Sequence, residues 1–182
     1  MSAPLQPILQ SSRVRLRRFA QSDVPDLFGM FSDAQFMRYW SCPPYVSIAQ
    51  AQELFDRKDR GVSAGEFNEW AITLPENDRL IGHCTIFSIN KGQRRAEVGY
   101  GIGRPYWGNG YAQDAMHLML DFAFSSLGLH RLEADVDPRN VGSVNLLDRL
   151  GFVREGLLRE RWHVNGEICD SAIYGLLAPD YA

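Results

Sequence analysis

The chain has 182 residues, of which 45% are hydrophobic and 23% charged, which suits one globular domain spanning 1–182 with a full-sized core. Its formal net charge of −3 argues against a nucleic-acid partner, since phosphate-backbone binding shows as a basic face. The N-terminal MSAPLQPILQSSRVRLRRF lacks the apolar stretch of a signal peptide and no run of about eighteen apolar residues occurs, so the sequence predicts a cytoplasmic protein with no membrane partner.

In chain order, RVRLRRF (13–19) alternates like a strand, and helical stretches follow at roughly 22–32 and 47–60. The second opens with Ser47 and Gln50 in capping-box spacing. FNEWAITL (67–74), the turn PENDRL and IGHCTIFSI (81–89) read as a hairpin, and RRAEVGYGI (94–102) adds a third strand after the KGQ turn. From Gly110, the residues Ala112, Ala115, Met116, Met119, Leu120, Ala123 and Leu127 recur at helical spacing up to Gly128. RLEADVD (131–137) alternates again, so strand, helix and strand form a crossover with a parallel pair. A helix over 141–150 stops at Gly151, and the tail is a hairpin around Asn165-Gly166, a type I′ turn signal. The order is α+β: meander, crossover, closing hairpin.

Glycine is concentrated at one junction. RPYWGNGYA (104–112) leads into the long helix, where unpaired N–H groups and a partial positive charge suit a pyrophosphate. There is no GxxxxGK[ST], and Gln113 stands where the dinucleotide fingerprint needs its third glycine. The plain alternative is a loop whose glycines serve turn geometry. Upstream, EVGYGIG puts Gly99, Gly101 and Gly103 on one strand face together with Glu97, and Val98, Tyr100 and Ile102 on the other. A face so stripped suggests close approach by a ligand or by another backbone, unless a bulge shifts the register. Downstream, Asn140 and Ser143 share one side of the first turn of the last helix, and Asn140 alone is explained by N-capping.

Together these segments resemble the GNAT superfamily of acetyl-CoA-dependent N-acetyltransferases, in particular the branch containing the ribosomal-protein alanine and serine N-acetyltransferases. The likeness runs from LRRF to IYGLL and includes NVGSVNLLDRLGFVREG and VNGEICDSAIYGLL. The family's Gln/Arg-x-x-Gly-x-Gly/Ala motif falls on Trp107, Gly110 and Ala112. The resemblance implies a central, mostly antiparallel mixed and twisted sheet flanked by helices, in which the family's fourth and fifth strands splay to admit pantetheine. It implies acetyl-CoA as cosubstrate, with Ile102, Gly103 and Arg104 meeting pantetheine through their main chain. Gly108, Asn109, Gly110, Tyr111, Ala112 and Gln113 would wrap the pyrophosphate, and Asn140 and Ser143 would lie beside the arm and the thioester sulfur. Trp107 replaces the usual Gln or Arg, and Leu147 stands where many members carry a tyrosine proposed as general acid. Ser143 is the substitute for that tyrosine.

An amine acceptor must lose a proton before it attacks a thioester, and Glu97 is the only carboxylate on the glycine face, so it is the expected base, directly or through water. A kinked strand with a solvated Glu97 is the plain alternative. His83, His117, His130 and His163 show no ligand spacing and read as surface or satisfied polar residues, and Cys42, Cys84 and Cys169 form no CxxC pair, so no metal is expected. Tyr39, Trp40 and Tyr45 in MRYWSCPPY suit either an acceptor-groove wall or loop packing. The charges of RERWHV and EICD read first as a solvated hairpin, and otherwise as an acceptor entrance. The leading expectation is acetyl transfer to a primary amine, such as a protein N-terminal Ala, Ser or Thr. A small-molecule amine is one alternative and a non-catalytic acyl-CoA sensor another, in a monomer or homodimer.

Overall fold

Alternation in the first strand turns Val14 and Leu16 inward, and both are fully buried. In the computed structural model, which describes residues 6–164 and 166–181, the ladder here is shorter than 13–19. A turn closed by Ser11 N–H donating to the Val14 carbonyl at 2.9 Å folds β1 (Leu9–Gln10) back on β2 (Arg15–Arg17). After α1 (Val24–Phe31), Gln50 Oε1 accepts from the Ser47 backbone N–H at 3.1 Å and so starts α2 (Ile48–Ala64). That helix runs past residue 60 because the left-handed residue that stops it is Gly65, at φ 71°.

The meander is β3 (Asn68–Thr73), β4 (Leu80–Asn90) and β5 (Arg95–Ile102). The crossover consists of α3 (Tyr111–Asp121), a single π turn over Phe122–Ser126, and β6 (Arg131–Val136). Then α4 (Val141–Arg149) leads to the hairpin of β7 (Val153–Val164) and β8 (Glu167–Leu177). Val164 pairs with Glu167 across the turn; Gly166 has φ 80°, while Asn165 lies outside the described residues. The described strands form one eight-stranded sheet in the order β1-β2-β3-β4-β5-β6-β8-β7, with β5 and β6 parallel and the other neighbours antiparallel.

Both faces of the middle of the sheet are covered, while the edge strand β7 is largely exposed. On one, Ala115, Met116, Met119 and Leu120 of α3 are wholly buried, as their helical spacing requires, against a core that includes Trp70, Ile72, Ile86 and Leu132. At about 1.5–3 kcal/mol for each large apolar side chain taken from water, that stripe is ample to hold α3 on the sheet. On the other face α1 and α2 bring Leu27, Met30, Phe31 and Leu54 onto Ala71 and Leu80. No described helix is long and apolar enough to cross a membrane.

Candidate active site

The site begins at a seam. β5 and β6 pair at Arg95↔Arg131, Ala96↔Leu132 and Glu97↔Glu133 and then part, although β5 continues to Ile102 and β6 to Val136. Each strand is held by its outer neighbour: β5 stays in register with β4 from Glu97 to Ile102, and β6 with β8 along its whole length. The seam opens where the β5–β6 ladder ends, each strand following the twist of its own outer neighbour. The only register irregularity between β4 and β5 lies before Glu97, so the alternation of Glu97, Gly99 and Gly101 against Val98, Tyr100 and Ile102 holds. A cavity of about 600 Å³ is lined by Glu97 and Gly99 from one face and by Val98 and Tyr100 from the other, so it passes into the seam.

The glycine face is only partly open. A Cβ on Gly101 would come within 3.0 Å of Phe36 and Trp40, and one on Gly103 within 3.1 Å of Met30. Those two glycines admit aromatic and methionine side chains of this chain; Gly99, opposite Thr85, is the one that faces the cavity.

At the mouth of α3, Gly108 and Gly110 have φ of 75° and 79°, the left-handed region where a β-carbon is strained. Among the described residues the main-chain N–H groups of Gly108, Asn109, Gly110, Tyr111, Ala112 and Gln113 have no acceptor within the chain, which leaves consecutive donors at a helix N-terminus. This arrangement fits a diphosphate. Arg13, 96 residues away in sequence, donates from Nη2 to the Asn109 carbonyl and pairs through Nε with Asp114 at 3.4 Å, so it anchors the loop. Trp107 turns back: its indole N–H donates to the Ile102 carbonyl at 2.5 Å, which leaves that carbonyl one lone pair for a ligand. The Arg104 side chain donates to Asp33 at 2.6 Å and holds that carboxyl below its usual range.

Asn140 is a cap. Its Oδ1 accepts from the Ser143 N–H at 3.2 Å. The Ser143 hydroxyl lies 2.7 Å from the Tyr100 hydroxyl, and burial pushes the Tyr100 phenol up to about 12. Leu147 is fully buried in the core. Glu97 is half-buried and has no hydrogen-bond or ion-pair partner among the described residues, whereas its neighbour Glu133 is taken by Arg131 and Arg95.

Side chains build the rest of the cavity. Tyr39 and Trp40 line it, and the Tyr39 hydroxyl donates to the Arg139 carbonyl at 3.1 Å, bridging two distant segments. Tyr45 does not belong with them: it stacks on Phe31 at 5.2 Å in the α1 cluster. The closing hairpin is more than a solvated surface, because Arg161, Trp162, Val164, Glu167, Cys169 and Asp170 form one cavity wall. His83 also lines the cavity and is not a satisfied polar residue. Its Nδ1 lies 3.2 Å from Glu69 Oε1, off the line of a hydrogen bond, and neither ring nitrogen has a partner among the described residues. Burial and the nearby Lys58 charge hold the imidazole below its ordinary pKa. Lys58 and Glu69 form a buried ion pair; burial alone would raise the carboxyl, but the Lys58 charge prevails and brings it down to about 2.

The acetyltransferase (GNAT) domain family matches residues 13–153, and the chain belongs to that family. Among its relatives, the "Uncharacterized N-acetyltransferase p20" of Bacillus licheniformis is 34% identical over 174 residues, covering 96% of this chain and 98% of the relative. The spermidine N(1)-acetyltransferase of Vibrio cholerae is 28% identical over 160 residues, covering 88% and 90%. A crystal structure of spermidine N-acetyltransferase from Vibrio cholerae with CoA and spermine superposes with a TM-score of 0.82 at 27% identity, covering 94% of this chain and 99% of that one. The ribosomal-protein-S5-alanine acetyltransferase of Vibrio fischeri shares the fold, with a TM-score of 0.82 at 20% identity and coverage of 97% and 99%. The chain is thus an acyltransferase of the GNAT fold, and acetyl-CoA is the family's acyl donor.

Proposed function

We propose that this acetyltransferase moves acetyl from acetyl-CoA to a primary amine by direct attack on the thioester, with Glu97 as the base. The observation that carries this is the position of Glu97: an unpartnered carboxylate on the last residue pair before the seam opens, inside the cavity that also reaches Tyr100. The free N–H groups of residues 108–113 support diphosphate binding, and the edge of β5 left unpaired beyond Glu97 supports main-chain contacts from Ile102 and from the Arg104 N–H to pantetheine, whereas Gly103 is already committed, its N–H to the Ile81 carbonyl at 2.8 Å and its carbonyl to the Tyr106 N–H at 2.9 Å. Ser143, hydrogen-bonded to the cavity-lining Tyr100, is the group we assign to donate to the departing sulfur. Thiols titrate near 8.5, so thiolate is a fair leaving group that needs a hydrogen bond more than a full proton.

Two acceptor classes compete. The tail's likeness to the ribosomal-protein branch supports a protein N-terminal Ala, Ser or Thr. Charge favours a small amine with a second cationic group. Of the carboxylates lining the cavity, Asp137 and Glu167 are paired with Arg139 and Asp135 with Arg161, whereas Glu97 and Asp170 have no cationic partner among the described residues. One unpaired carboxylate can take the reacting amine's proton while the other faces a distal ammonium. The spermidine-acetylating relatives support the same class.

Free-thiol release from acetyl-CoA with a panel of polyamines and N-terminal Ala, Ser and Thr peptides tests both readings. Polyamines are expected to turn over with the higher kcat/KM, and Asp170→Asn to raise their KM alone. Turnover restricted to peptides would reverse the preference, and acetyl-CoA binding without release from any amine would leave an acyl-CoA sensor.

A further inference from the structure

We propose that Tyr100 is a positioning residue that aims the Ser143 hydroxyl at the departing sulfur, a role that rests on the acetyl-transfer reading above. The phenol oxygen lies 2.7 Å from Ser143 Oγ and 3.3 Å from the Ser143 carbonyl oxygen, so a single hydroxyl reaches both oxygens of one residue. Tyr100 lines the same cavity as Glu97 but from the opposite face of β5, so the Tyr100–Ser143 pair lies on the other face of the sheet from the base, at the same seam. Leu147, one helical turn beyond Ser143, is sealed in the apolar core and offers no proton. The tyrosine absent from α4 is in this way replaced by one on β5, acting through the serine.

Either hydroxyl can donate across the 2.7 Å contact; when the phenol gives its one hydrogen to Ser143 Oγ rather than to the Ser143 carbonyl, the serine's own hydrogen is free to turn toward a ligand. The chemistry sets the limit of the role. Burial keeps the phenol protonated up to about 12, and a thiol titrates near 8.5, so transfer of the phenol proton to the thiolate is disfavoured by more than about a thousandfold. Tyr100 supplies orientation and polarisation, not a proton. In the step itself the amine nitrogen bonds to the acetyl carbon, the carbon–sulfur bond breaks with its electron pair on sulfur, and the amine proton passes to Glu97. The thiolate is stabilised by the Ser143 O–H and takes its proton from solvent after departure.

The test is a double-mutant cycle on kcat and on KM for acetyl-CoA, with melting temperature measured alongside. Tyr100→Phe is expected to lower kcat about tenfold and leave KM for acetyl-CoA within about twofold, as for an interaction made only in the transition state. In a Ser143→Ala background the same substitution is expected to change kcat by less than about twofold, and in a Ser143→Thr background, which keeps a hydroxyl, the tenfold factor returns. Undiminished loss in the Ser143→Ala background, or a Tyr100→Phe enzyme that is less stable yet turns over like wild type, overturns the role of Tyr100 while acetyl transfer stands. A wild-type protein that releases no thiol with any amine overturns acetyl transfer and this role together.

Discussion

The two faces of the seam are made of different material. Toward α3 the donors are consecutive main-chain N–H groups, and what they need from the side chains is chiefly the left-handed backbone at Gly108 and Gly110. Toward the hairpin and the loop after α1 the site is a set of side chains: Glu97, Tyr39, Trp40, Trp162 and Asp170, contributed by segments far apart in the chain. Backbone donors survive substitution of their neighbours, which is why Trp107 can stand at the motif's first position while its indole serves the end of β5. A side-chain wall changes its ligand with each replacement. With the cosubstrate and acceptor assigned to these two faces as proposed above, the difference teaches that cosubstrate recognition would be robust and acceptor recognition adjustable.

The division breaks most visibly at Glu97. Glu97→Gln should lower kcat by about 10² to 10⁴, as expected when a general base is removed, and leave acetyl-CoA affinity unchanged in calorimetric titration. The defect should shrink as pH rises, because more of the amine is already deprotonated. An equal loss of affinity would mean that the two faces are not separable.

The foundation of the side-chain face is charged, and Glu69→Gln probes it. The variant leaves Lys58 buried without its carboxylate, for an expected loss of about 3–5 kcal/mol in denaturant unfolding. Glu69 sits at about 2 in the folded chain against an ordinary 4.5. Its contribution is therefore complete above the ordinary value and is lost as pH falls toward 2. His83, held below its ordinary 6.5, acts with the same sign from that pH downward, because the unfolded chain takes up the proton first. Melting temperature should fall with acidification in wild type and fall less steeply in Glu69→Gln.

The main-chain face is broken at Gly110. Valine there must adopt φ 79°, which costs about 1–2 kcal/mol in stability, and its branched side chain obstructs approach to the loop. Acetyl-CoA at a hundredfold its dissociation constant should stabilise wild type by about 2.7 kcal/mol and the variant by far less. Equal thermal shifts would put the diphosphate elsewhere.

The same division governs what the sequence makes legible. The junction from β5 to α3 can be read because glycine, strand alternation and helical spacing are local, and no bulge interrupts residues 97–102. The side-chain face cannot, because its contacts join Tyr39 to Arg139 and Tyr100 to Ser143 across stretches with no periodic relation. Arg13 on the Asn109 carbonyl is equally silent in the sequence. Glycine also misleads: Gly101 and Gly103 mark a close approach, but the visitors are Phe36, Trp40 and Met30. His83 was legible only as a lone histidine, since nothing in its spacing points to Lys58 and Glu69.

The smallest effect tests whether a residue at the border belongs to the backbone half. Asn140 Oδ1 accepts from the Ser143 N–H, so its side chain completes the first turn of α4. Asn140→Ala should therefore cost about 1 kcal/mol of stability, and Asn140→Asp, which keeps the acceptor and adds a favourable charge at a helix N-terminus, should restore it. Because the cap also fixes the backbone that carries Ser143, the alanine variant should lose a few-fold in kcat while acetyl-CoA affinity holds. Thermal melts, calorimetric titration and steady-state kinetics on the two variants separate the outcomes. A drop in acetyl-CoA affinity in Asn140→Ala that Asn140→Asp does not restore would make the amide a direct ligand of the cosubstrate, and would place a side chain on the face built from main chain.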